Sequence, residues 1–411
     1  MKDQKKTINE IKNYIDKADE LHGIDEIMLR RSLTESWFSD TLAWLLDPKA
    51  DHGLGVRFPR EFLKVVAHKR STDEAYARRE AHLKFGKSGP GMTTTGLAIS
   101  NATVLREFYL TSDVSKKNGR GTRYCDLVFM DLCSDDSIFV AIENKLFTRN
   151  SKYQLKEFFE AIEDKYTRSK VREYIYLTLD GQRPQGKDDD SKYFKYWVNI
   201  SWANDIKEIL NSLLDDESSE DLYDLYNLLC YLSYMTHPNA SIFRNINKLK
   251  RTLLSIAADC LHEELNRLGE GKRGTWEISS KTKAHNILYH TSAPTRHLHI
   301  EILPNFCITV HGKRNKSQQY EKILIPFGAH PDQVFSLLDI AARDIYHLHF
   351  ENKDLYLGNK RRLTRTISEM KENNLQILNF VFRYKYELQV LFMISTSIWA
   401  KSKKESCIYE Q

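Results

Sequence analysis

The hydrophobic positions of this 411-residue chain change period several times. Over residues 5–30, Ile8, Ile11, Ile15 and Ala18 recur at three and four, the spacing of a helix with one apolar face. Within ESWFSDTLAWLLDP, Glu35 to Leu46 predicts a second helix that Pro48 ends. DHGLGVRF reads as a turn, and FPREFLKVVAHK returns to helix. Residues 70–100 are polar and glycine-rich and read as a long loop.

From Ala102 the period shortens to that of strands. ATVLREFYLTS, RYCDLVFMDLC and SIFVAIENKLF are three strand candidates with short turns between them, which predicts antiparallel pairing. The helix SKYQLKEFFEAIEDKY follows, with Leu155, Phe158, Phe159 and Ile162 on one face. EYIYLTLDG and YWVNISW are two further strands, and NDIKEILNSLLDD is a helix. Residues 220–268 read as helix in at least two pieces, broken near His237-Pro238. Beyond Gly269 the pattern is β-rich: WEISS, NILYHTS, RHLHIEILP, FCITVHGK and KILIPFG. A helix over 331–345 and mixed elements over 364–390 complete the expectation. The fold class is therefore α/β (α+β), with a first domain over 1–240 and a helical linker plus C-terminal α+β domain over 241–411.

Composition narrows this little. Hydrophobic residues make up 41% and charged residues 28%, as in ordinary globular proteins, and the net charge of +5 neither demands nor opposes a nucleic-acid partner. The six cysteines are scattered without a Cys-x-x-Cys pair, which disfavours a zinc ribbon and a disulfide framework and predicts a reducing, cytoplasmic setting. No stretch approaches the roughly 20 apolar residues of a membrane span, so no membrane partner is expected.

The chemistry concentrates in SIFVAIENKLF. Side chains alternate along a strand, so Glu143 and Lys145 share a face and Asn144 takes the other. In a hairpin with the preceding strand, Asp126 can face Glu143. Two carboxylates at close range repel one another, and Mg²⁺ relieves that repulsion while accepting phosphate oxygens. Lys145 would hold or help deprotonate the attacking water and neutralise charge developing on a phosphate. The bland reading is an ion pair at a strand end beside a surface aspartate. Asp131, near the end of the second strand, reads as structural or solvent-facing.

Asp126, Glu143-Asn144-Lys145 and Gln154 resemble the PD-(D/E)xK nucleases, which include many restriction endonucleases. The first half is similar to a branch labelled simply PD-(D/E)xK nuclease family protein, with its WFSDTLAWLLDP-like helix, HGLG-like turn and VLREFYL-like strand. The resemblance covers about residues 30–215. It implies a restriction-endonuclease-like core with a mixed central sheet flanked by helices. It also implies a metal-dependent nuclease, with Mg²⁺ as cofactor and Mn²⁺ as a substitute. Asp126 and Glu143 resemble the metal-binding acids, Lys145 the catalytic lysine, and Gln154 a helix glutamine that helps place the site. Glu35 matches an acidic residue of the first core helix that can add a metal contact. Cys125 stands where the family name has proline.

DNA is the substrate expected from the resemblance, and defence against foreign DNA the role. Lys116, Lys117, Arg120 and Arg123 are the expected nucleic-acid-binding residues, in and beside the turn before Asp126. Lys360, Arg361, Arg362 and Arg365 form a second basic cluster. A homodimer, or a partner protein supplying specificity, is among the expected partners. The alternative function is a catalytically inactive, nuclease-like binding or regulatory protein that acts through its C-terminal domain. The glycine-rich GKSGPG lacks the spacing of a phosphate loop, the His-Leu-His pairs at 297/299 and 347/349 lack accompanying ligands, and Cys125 lacks a histidine partner pattern.

Overall fold

A computed structural model describes chiefly residues 2–22, 34–72, 99–110, 123–131, 138–146, 154–166, 171–184 and 191–268, five strands between 276 and 326, and helical residues within 376–395. The chain divides into two compact units, Lys17–His237 and a second one made of Met1–Asp16 with Pro238–Gln411.

The first unit is built on a mixed five-stranded sheet in the order β1-β2-β3-β4-β5. β1 (Thr103–Leu110), β2 (Arg123–Asp131) and β3 (Ile138–Lys145) pair antiparallel. β4 (Val171–Thr178) and β5 (Val198–Ser201) then add parallel to β3. Antiparallel neighbours such as the first three strands need no crossover. The switch to parallel pairing requires a crossover, which α4 (Gln154–Lys165) supplies between β3 and β4. Seven of the eight β3 residues are buried, the pattern of a central strand covered on both faces.

One sheet face carries an apolar cluster in which Phe139, Ala141 and Tyr174 meet Leu155, Phe158 and Ile162 of α4. The other face lies against α2 (Glu35–Leu46). Thr34 caps α2 by accepting from Trp37 N at 3.1 Å. Asp47 and Pro48 end it, and α3 (Arg57–Thr72) follows. The turn between them is held by His52 Nδ1, which accepts from Leu54 N at 2.9 Å, and Gly53 takes a φ of +76°, where a side chain would be strained. Beyond the short α5 (Ser191–Phe194) and β5, a π-helical turn (Trp202–Ile206) presents Trp202 to Phe38 of α2, with ring centroids 4.9 Å apart. α6 (Lys207–Leu213) and α7 (Glu220–Met235) complete the unit.

In the second unit, the 29-residue α8 (Ala240–Leu268) packs on an antiparallel sheet ordered β10-β9-β8-β7-β6. These strands are β6 (Trp276–Ser279), β7 (Asn286–His290), β8 (His299–Ile302), β9 (Cys307–Gly312) and β10 (Glu321–Pro326). Residues of α1 (Lys2–His22) join this unit: Asn245 donates to Glu10 at 2.6 Å and Tyr384 to Asp16 at 2.8 Å. The expected helix over 331–345 and the second basic cluster, Lys360 to Arg365, lie outside the described residues. So do residues 73–98, with the GKSGPG segment, and His347/His349. Among the described residues, no helix is long and apolar enough to cross a membrane.

Candidate active site

The site lies where β2 and β3 part. Their ladder runs to the pair Leu127–Ile142. One step further, the expected Asp126–Glu143 pairing gives way to a side-chain contact: the Asp126 carboxylate accepts the backbone N–H of Asn144 at 2.8 Å. That bond fixes Asp126 against the strand that carries Glu143 and Lys145. On the other side of Asp126, the β1 ladder has Arg106 opposite Leu127 and Phe108 opposite Cys125, which leaves Glu107 facing Asp126. Glu107 has a φ of +47°, rare for a residue with a side chain and of the kind found at functional sites.

This irregularity inverts the alternation of β1. Arg106 reaches α2, where it pairs with Asp40 and donates to Ser36 O at 3.3 Å. Two residues on, Phe108 packs with Phe139 and Tyr166, on the α4 side of the sheet. Arg106 Nε also donates to Asp126 O at 3.2 Å, so α2 is tied directly to the aspartate's backbone.

Glu143 is fully buried. Its Oε1 accepts from Lys145 Nζ at 2.8 Å and from Gln154 Nε2, at the start of α4, at 2.5 Å. Its Oε2 is also buried and has no hydrogen-bond partner. Lys145 Nζ lies 3.8 Å from Asp126 Oδ2. The four residues expected to converge do so: Asp126, Glu143, Lys145 and Gln154 form one cluster. Glu35, half-buried at the start of α2, adds negative potential at Asp126, Glu143 and Lys145. It does not join the two acids in a closed ligand set. Among the described residues, no three His, Cys, Asp or Glu side chains are grouped to hold a metal.

The electrostatics follow from burial plus excess negative charge. Burial, then the Asp126 charge, push the Glu143 carboxyl up to about 8, although Lys145 opposes the shift. Asp126 is raised as well, chiefly by burial, against the pull of Lys145 and the Asn144 N–H. Burial alone would lower the Lys145 ammonium, but Glu143 and Asp126 outweigh it and hold the lysine above its ordinary value. Lys145 is therefore a fixed cation. A lysine so held is a cation and an N–H donor, which speaks against the expected help in deprotonating a water.

This donor set suits a hard divalent cation. It offers an orphaned, buried carboxylate oxygen on Glu143 and a part-exposed carboxylate on Asp126, both beside the Lys145 ammonium. Mg²⁺ is commonly bound by only one or two carboxylates and keeps its remaining positions for water and phosphate oxygens.

Asn144 is the main residue whose part the sequence reading left undeveloped. It faces away from Glu143, as alternation requires, and is 1% exposed. Its Nδ2 donates to Ser39 Oγ at 2.9 Å and Glu35 O at 3.3 Å, and its Oδ1 accepts from Trp202 Nε1 at 3.1 Å. One side chain thus joins β3 to α2 and the π-helical turn. An amide within a run of buried apolar residues was the available signal. Asp131, expected to be structural or solvent-facing, is buried. Cys125 is buried, donates to Leu127 O and Ile142 O, and has its thiol pushed well up by burial, which makes it inert. Of the expected nucleic-acid-binding residues, Lys116, Lys117 and Arg120 lie outside the described residues. Arg123 opens β2, and its side chain is likewise outside them.

A sequence model of the family described as the PD-(D/E)XK nuclease superfamily matches residues 27–233. The chain belongs to that superfamily. Its mixed sheet with flanking helices is the restriction-endonuclease-like arrangement. No curated protein and no solved structure matches the chain.

Proposed function

We propose that the protein is a divalent-metal-dependent nuclease that hydrolyses DNA phosphodiesters, with Mg²⁺ as the working cation and Mn²⁺ as a substitute. The observation that carries this reading is Glu143. A fully buried carboxylate with one orphaned oxygen, a like charge beside it and a single lysine is poorly compensated on its own. A bound cation would complete it.

Asp126 and Glu143 would hold the cation, with Glu35 near enough to add attraction. When bound, the cation supplies Lewis-acid polarisation of the phosphodiester and acidifies a water. The chain's own groups do the rest. Gln154 and Lys145 both donate to Glu143 Oε1, which leaves Oε2 as the free ligand atom. The Asn144 N–H holds Asp126. Lys145, charged across the working pH range, would direct a remaining N–H toward the negative charge that grows on the phosphate. Arg106 and Asn144 keep α2, and with it Glu35, seated on the strands.

DNA as the substrate, and defence against foreign DNA in a reducing cytoplasm as the role, extend the family assignment. Scattered cysteines without a close pair fit that compartment. A homodimer or a partner protein would supply specificity. The test incubates plasmid, linear DNA and RNA with the protein and Mg²⁺ or Mn²⁺, alongside EDTA and Lys145→Ala controls. Cleavage is expected with metal, is abolished by EDTA, and falls about 10²–10⁴-fold in Lys145→Ala. Cleavage of no substrate, or unchanged cleavage by Lys145→Ala, refutes the reading and favours an inactive binding protein.

A further inference from the structure

Thr178 is the last residue of β4 and pairs in register with Lys145. Two residues earlier, Tyr176 pairs with Glu143. In-register partners of parallel strands project to the same face, and so do residues two apart on one strand. Glu143, Lys145, Tyr176 and Thr178 therefore form a square of polar side chains at the C-terminal ends of two parallel strands. This is the edge of an α/β sheet where ligands gather. The square lies on the α4 side, as the Gln154–Glu143 bond shows.

Thr178 is 6% exposed, and its Oγ1 has no hydrogen-bond partner. Strand preference alone does not account for a hydroxyl there. Valine has the same shape and β-branching, and the neighbouring Ile175 and Leu177 are apolar. Burying an unpaired hydroxyl is unfavourable. Two orphaned buried oxygens, Thr178 Oγ1 and Glu143 Oε2, thus lie on the sheet face that also carries Lys145.

We propose, building on the nuclease reading, that Thr178 is a further catalytic residue whose hydroxyl donates a hydrogen bond to a non-bridging oxygen of the scissile phosphate, beside Lys145. Adjacent strands are about 4.8 Å apart, so one phosphate oxygen placed between the two side-chain tips can receive both donors. Lys145 contributes charge, and Thr178 fixes where that oxygen sits. Bond making and breaking stay with the attacking water and the leaving oxygen.

The experiment compares the full-length wild type with Thr178→Val and Thr178→Ser. It measures kcat and KM on one DNA substrate at saturating metal, and the metal-free thermal midpoint. In Thr178→Val, kcat falls at least about tenfold with KM little changed, as expected for a lost donor to developing charge. Its melting temperature holds or rises, because a methyl replaces an unpaired hydroxyl. Thr178→Ser recovers most of the rate. Thr178→Val with wild-type kcat overturns the proposal. So does a rate loss that tracks a fall in melting temperature, or Thr178→Ser as impaired as Thr178→Val. A wild type that cleaves nothing defeats the nuclease reading and this inference with it. An active wild type beside an unimpaired Thr178→Val defeats the inference alone.

Discussion

Two buried glutamates on neighbouring strands have opposite surroundings. Glu173, near the start of β4, is paired with Arg70 of α3, and both side chains are about nine-tenths buried. Burial raises its carboxyl, and Arg70 alone among the described residues offsets that. Glu143, near the end of β3, shares one lysine with Asp126 and feels Glu35 as well. The first is a balanced pair that joins a helix to the sheet. The second is a cluster with more negative than positive charge and an orphaned oxygen. Burial is common to both, so burial does not distinguish them. The uncompensated like charge does.

The sharpest way to break this contrast is to unbalance the balanced pair. Arg70→Ala strands a buried carboxylate and should destabilise the protein by about 3–5 kcal/mol in chemical denaturation, while the folded fraction keeps its response to divalent cations. A stability equal to that of the wild type would place Glu173 in the same class as Glu143.

A smaller effect comes from relieving the unbalanced cluster. The folded-state pKa of Glu143, about 8, exceeds its ordinary 4.5. The folded protein therefore keeps this proton over a window in which the unfolded chain releases it. The resulting stability is fully present below pH 4.5 and is lost as pH rises through about 8. Glu143→Gln removes that slope. Without metal it should melt above the wild type at pH 9 and at a similar temperature near pH 4. Parallel melting curves for the two proteins across this range would remove the basis for calling Glu143 uncompensated. The same titration makes cation affinity climb with pH up to about 8, since the ligand must be ionised.

The sequence revealed much of this site because its residues sit on short, strongly patterned elements. The apolar run Ile138–Ile142 identified β3, and strand alternation placed Glu143 and Lys145 together. The amphipathic α4 brought Gln154 along with its buried face. Two features were hidden, for separate reasons. Regular alternation cannot anticipate the inversion at Glu107, because a positive φ at a glutamate leaves no sequence signature. The Asn144 links to Ser39 and Trp202 join residues 105 and 58 positions apart, and only the folded arrangement of α2 and the π-helical turn brings them together.

The central claim is that Asp126 and Glu143 form a divalent-cation site. Calorimetric titration of Mn²⁺ into the full-length protein above pH 8, where Glu143 is ionised, tests it most directly against Asp126→Ala and Glu143→Gln. Saturable binding by the wild type and its loss in both variants, although both remain folded, is the expected result. Equal binding by all three proteins, or none by the wild type, would contradict it.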